Sequence, residues 1–142
     1  MIYYLIASIL IAVAALFART KRAVLAAGIL FYAVQIAAAG LLLWGGLYDT
    51  TSAAFFTFDA LGTLFYLLLV VVSMYVFGHS EAYLQGEDLR SYRLYFALLM
   101  LLTTAIAGAY FANNLAVTWI FLEATTLCSA GIIYHRLSLI HI

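Results

Sequence analysis

Long apolar runs, separated by short polar stretches, dominate this chain. Five of them are long enough to be read as membrane-spanning helices, over residues 2–18, 23–48, 60–78, 94–112 and 115–134. A helix needs about 20 apolar residues, with a lower limit near 17, to cross a hydrocarbon core of roughly 30 Å. The first run lies at that limit, and the second is long enough to tilt. Trp44 and Tyr48 suit an interface at the end of the second run, followed by an exit loop containing Gly45, Gly46, Asp49, Thr50, Thr51 and Ser52. Residues 79–93 form the one long polar segment, with Glu81, Glu87, Asp88, Arg90 and Arg93, and read as a solvated loop or interfacial turn. The pattern therefore predicts an all-α membrane protein of five transmembrane helices.

Composition strengthens this reading. The chain is 68% hydrophobic and 8% charged, whereas soluble domains carry about 25% charged residues. No basic patch points to nucleic acid. All six Lys and Arg residues, Arg19, Lys21, Arg22, Arg90, Arg93 and Arg136, fall after the first, third and fifth runs. The positive-inside rule then puts the amino terminus outside and the carboxyl end in the cytoplasm. The charge follows the first run instead of preceding it, so that run is read as a retained span and not a secretory signal. With no proline in the chain, no span is expected to carry a proline break.

Few residues in the spans carry chemistry. Gln35 lies in the middle of the second run, where an interhelical hydrogen bond is preferred over a role in a polar path. Asp59 stands just before the third run as a helix cap for the first free amide groups. Ala105, Gly108, Ala109 and Ala112 recur on one face of the fourth run, and Ala124, Cys128 and Gly131 on one face of the fifth. Such stripes allow close helix approach in lipid, so these two helices are expected to pack along them. The single cysteine, Cys128, is read as a small packing residue. The three histidines, His79, His135 and His141, are too scattered for a metal site.

Glu123 is the outstanding residue, a carboxylic acid in the middle of the fifth run. Placing a charge at that depth costs roughly 2.5–3.5 kcal/mol on an insertion scale, which makes it a functional candidate. Burial disfavours a charged carboxylate, and a nearby cation restores it. No span contains Lys or Arg, so no cation within the chain is expected at the depth of Glu123. At helical spacing, Trp119, Ile120, Thr126 and Leu127 share its face. Thr126 is the expected supporting residue, bonding the carboxyl or holding a water beside it, while Thr125 points elsewhere, toward its own helix.

The sequence Ala-Asn-Asn-Leu at 112–115, followed by Leu-Glu-Ala-Thr-Thr-Leu-Cys-Ser-Ala at 122–130, resembles the fifth membrane helix of antiporter-like, proton-translocating subunits. These belong to respiratory complex I (NADH-quinone oxidoreductase) and to membrane-bound hydrogenases. The Glu-Ala-Thr-Thr-Leu form is most similar to the antiporter-like subunits of the hydrogenase-4 / formate hydrogenlyase family. Phe-Thr-Phe-Asp-Ala-Leu at 56–61 resembles the opening of the third helix in the same family. Residues 123–130 carry most of the specificity.

The resemblance implies a fold of about fourteen helices, with two inverted five-helix repeats beginning at the fourth. This chain would then be a partial antiporter-like bundle, residues 1–136 of a proton-translocating membrane domain. It implies that Glu123 translocates protons and pairs with a Lys on a later helix. It also implies partnership with other membrane subunits of a respiratory or hydrogenase complex, in the cytoplasmic membrane of a prokaryote. The chain itself would hold no cofactor; partner subunits would carry Fe–S and Ni–Fe or flavin. A cation/proton antiporter subunit and a structural membrane scaffold are the alternatives. Residues 137–142 match a translated sequencing-library adapter, so the native sequence is expected to depart after Arg136, in a longer chain cut short.

Overall fold

A computed structural model describes residues 1–45 and 55–140, with side chains as far as residue 134. Tyr48, the polar residues 49–52 and His141 lie outside the described residues. Five α-helices follow in order: α1 (Ile2–Leu16), α2 (Lys21–Leu43), α3 (Ala60–Tyr83), α4 (Leu89–Phe111) and α5 (Leu115–Ile140). Among the described residues there is no sheet, only an isolated antiparallel bridge between Phe56 and Ala112. Four helices are long and apolar enough to cross a membrane, as a multi-pass membrane protein requires. The exception is α1, with 15 residues. At 1.5 Å per residue it reaches about 22 Å, short of a full hydrocarbon core.

The helix ends follow from local chemistry. Thr20 caps α2 by accepting a hydrogen bond from the Ala23 amide at 3.2 Å. Gly45, with φ 73°, takes the left-handed conformation that lets the chain turn after α2. Asp59 caps α3 as expected, its Oδ1 accepting from the Gly62 amide at 3.0 Å. Asn114 does the same for α5, accepting from the Ala116 amide at 2.9 Å.

The polar segment 79–93 needs correction. It is mostly helix: α3 runs on to Tyr83, a short turn follows, and α4 begins at Leu89. Hydrophobicity ends near Gly78, but helix propagation depends on backbone bonding and needs no apolar side chains. Ser80 is buried there and shares a hydrogen bond with the Tyr95 hydroxyl at 2.9 Å, tying the end of α3 to α4. α2 ends earlier than the expected 48, and α5 continues past 134.

Two ends of the bundle are held separately. At one, Lys21 Nζ donates to the Gln85 carbonyl at 2.7 Å and Arg93 donates to the Ala18 carbonyl at 3.1 Å. The α1–α2 and α3–α4 connections are thus neighbours, which gathers the basic residues 19–22 and 90–93 at a single end. At the other, the Thr57 amide donates to Phe111 and the Asn113 amide to Phe55, both at 2.8 Å, so the lead into α3 docks on the α4–α5 turn.

The interior holds two apolar clusters. Phe31, Phe77, Tyr92, Phe96 and Met100 fill the one toward the basic end. Tyr4, Tyr66, Phe56 and Phe111 fill the other. α4 is the central helix and contacts all four others, whereas α5 leans on α4 alone among the helices. The small-residue expectation for this pair holds. A Cβ on Gly108 would run into the Phe121 ring, and one on Gly131 would stand 3.0 Å from Leu98 Cδ1. Replacing Gly108 by Val should therefore destabilise the α4–α5 pair by about 1–3 kcal/mol, the usual range for overpacking. Unfolding in mixed micelles, followed by circular dichroism, measures the shift.

Candidate functional site

Two polar features occur within the apolar helices, and they differ in kind. The first is a closed hydrogen-bonded cluster around Gln35. Its side chain is fully buried. Gln35 Oε1 accepts from the Tyr4 hydroxyl at 2.6 Å and from the Tyr66 hydroxyl at 2.8 Å. The Tyr66 hydroxyl also lies 3.1 Å from the Gln35 backbone carbonyl. Gln35 Nε2 is 3.5 Å from Ser8 Oγ, the longest contact of the set. One amide thereby joins α1, α2 and α3, which is the interhelical role expected for it.

Hydropathy does not reveal the tyrosines and Ser8, because a tyrosine in an apolar run contributes mainly its ring to the hydrophobic pattern. A signal is present all the same: Tyr66, Ser73 and Ser80 recur every seven residues on α3, and all three are buried. Each takes part in an interhelical bond at its own depth. The Tyr32 hydroxyl donates to the Ser73 carbonyl at 2.9 Å, below the Gln35 cluster and above the Ser80–Tyr95 pair. These groups are hydroxyls and an amide; with no carboxylate or amine among them, they fix helix positions and supply no acid–base pair.

The second feature is open. Glu123 lies about 12 Å along α5 from Leu115 and about 20 Å before Arg136, at 1.5 Å rise per residue. That is near mid-depth of a bilayer core. Glu123 is exposed, as are Trp119, Ile120, Thr126 and Leu127, the four expected on its face. The opposite face, with Phe121, Ala124, Cys128 and Gly131, is partly covered by α4. The Glu123 carboxyl has no hydrogen-bond partner among the described residues.

Thr126 is on the same face but engaged elsewhere. Its hydroxyl donates to the Leu122 carbonyl at 3.0 Å. Thr125 donates to that carbonyl too, at 2.7 Å, the back-bonding expected of it. Thr126 is therefore a neighbour of Glu123 whose hydroxyl proton is committed to the helix, with its oxygen lone pairs left over. Asp59 is committed to capping α3, with a further bond from the Thr63 hydroxyl to its carbonyl at 2.8 Å. Among the described residues no group of His, Cys, Asp and Glu is arranged to hold a metal ion.

Compared with protein-family models, curated proteins and solved structures, the chain matches none of them.

Because Glu123 has no partner on α1–α4 among the described residues, Glu123→Gln should leave the stability of the isolated chain within about 0.5 kcal/mol, as for substitutions away from packed or bonded features. By contrast, Gln35→Leu should cost about 2 kcal/mol, the loss of two to three interhelical bonds of roughly 0.6–1 kcal/mol each. Parallel unfolding curves of the two variants in the same detergent test the contrast directly.

Proposed function

We propose that the chain forms part of a proton-translocating membrane subunit of the antiporter-like type, with Glu123 as the group that takes up and releases the proton. The observation that carries this reading is a carboxylic acid at mid-depth on a face of α5 that the other described helices leave bare. It occurs within the Leu-Glu-Ala-Thr-Thr-Leu sequence at 122–127 that resembles the hydrogenase-4 / formate hydrogenlyase family. A carboxyl in lipid is costly, and such groups face a bundle interior or a water-filled cavity when they function. On this reading, further helices cover the Glu123 face and supply a basic group at its depth. The α1–α4 core, closed by the Gln35 cluster, acts as the fixed support.

The proposed setting is the cytoplasmic membrane of a prokaryote, with the basic end inside, in keeping with the gathering of the two basic connections at one end. Electron transfer belongs to partner subunits carrying Fe–S and Ni–Fe or flavin centres, and this chain contributes the proton step. One observation favours a second reading, that of a membrane scaffold: the Thr126 hydroxyl bonds its own helix instead of the carboxyl.

The two readings separate on one substitution in the assembled complex. Glu123→Gln keeps shape and most hydrogen-bonding capacity but cannot titrate. Proton uptake by inverted membrane vesicles, driven by the redox substrate, should fall by about a hundredfold if Glu123 relays the proton, the lower range for losing an acid–base group. Assembly should be unchanged. Undiminished proton uptake would assign the chain to the scaffold.

A further inference from the structure

The end of the bundle that joins α1 to α2 and α3 to α4 carries an unneutralised positive charge. Five of the basic residues are there: Arg19, Lys21, Arg22, Arg90 and Arg93. Both α2 and α4 begin at this end, and neither has an acidic residue in its first turn. Lys21, Arg22 and Arg90 occupy those first turns instead. The helix macrodipole already puts partial positive charge there, so cations at these positions raise the energy where anions would lower it.

The existing bonds do not remove the conflict. Lys21 and Arg93 donate to the neutral carbonyls of Gln85 and Ala18. Arg93 Nε is buried and has no hydrogen-bond partner among the described residues. Arg19, Arg22 and Arg90 are exposed. Glu81, Glu87 and Asp88 lie on the α3–α4 side, too few to balance five cations, and Glu81 already accepts a bond from Gln85 at 3.4 Å.

We infer that this end binds the phosphate of an anionic phospholipid headgroup, with Arg22 and Arg90 as exposed contacts and Arg93 supplying its buried donor. A phosphodiester offers charge for the helix starts and acceptor oxygens for the guanidinium groups. A lipid fits better than free phosphate, because apolar surface adjoins the cations: Phe17 is 77% exposed and Leu94 is 40% exposed, each within two residues of a basic side chain. Those side chains are suited to an acyl chain leading away from the headgroup. The inference rests on the bundle lying in a membrane and is independent of any role for Glu123.

Native mass spectrometry of the full chain, released from detergent with phosphatidylglycerol, phosphatidylcholine or inorganic phosphate added, tests it. Phosphatidylglycerol adducts should exceed phosphatidylcholine adducts on the unaltered chain. The pair Arg22→Gln and Arg90→Gln should weaken phosphatidylglycerol binding roughly thirtyfold, about fivefold for each charge removed near a membrane surface. The pair Arg22→Lys and Arg90→Lys, which keeps both charges, should retain the preference. Equal binding of the two lipids by the unaltered chain would overturn the inference whatever the variants do. Retained preference in the Gln pair would overturn the assignment of these residues. Displacement of the lipid by inorganic phosphate would identify a site for soluble phosphate instead.

Discussion

The Gln35 amide is the interaction on which the arrangement of the first three helices depends. In lipid, apolar helices gain little by touching each other, since the tails they displace are equally apolar. Specific positions come from polar bonds and close packing. Gln35 Oε1 takes hydroxyl protons from Tyr4 on α1 and Tyr66 on α3, and so sets three helices against one another at a single depth. α1 needs this most, because its 15 residues are too few to be held by the bilayer alone. The Tyr4 and Tyr66 rings meet edge to face with centroids 6.0 Å apart, so the same residues that bond through their hydroxyls also pack through their rings.

Below that level, glycine replaces hydrogen bonding as the means of close approach. Gly28 on α2 lies under the Phe77 ring of α3, where a Cβ would collide. Gly108 on α4 receives the Phe121 ring of α5 in the same way. Each pairs an absent side chain with a large flat one, which maximises contact where dispersion is the main attraction. The difference is in what surrounds them. The Gly28–Phe77 contact is enclosed by Tyr32 and Phe96, whose rings lie 5.2 and 4.8 Å from that of Phe77. The Gly108–Phe121 contact is at the rim, and beyond it α5 has no helical neighbour among the described residues.

Much of this is legible in the residues. The order of the apolar runs, the Asp59 cap, the Gln35 bond and the glycine-bearing stripes of α4 and α5 all follow from residue type and spacing. Three features are not. Hydropathy ends α3 too early and starts α4 too late, because it falls at His79 while backbone hydrogen bonding continues through Ser80 and Glu81. Tyr4 and Tyr66 are hidden by their own duality, since a ring that suits an apolar run carries a hydroxyl that seeks a partner many residues away. Spacing puts Thr126 on the correct face, but its hydroxyl has a nearer acceptor in the Leu122 carbonyl than any reading of faces reveals. The helical repeat sets a side chain's direction; it does not set which of two acceptors a rotamer selects.

The contrast between Gln35 and Glu123 bears most directly on function. Both are polar side chains at depth, separated from water by apolar residues. Around Gln35, the carbonyl oxygen and both tyrosine hydroxyls are matched, so moving a proton or a helix there means breaking bonds that have no replacement in lipid. Such a cluster is suited to holding geometry. Glu123 has none of these bonds among the described residues, and its helix is held along one side only. A carboxyl in that position gains its stabilisation from whatever approaches the bare face, and its protonation answers to that neighbour. Rigidity on α1–α4 and openness on α5 therefore belong together: a proton-carrying group works only if its surroundings can change while its support does not.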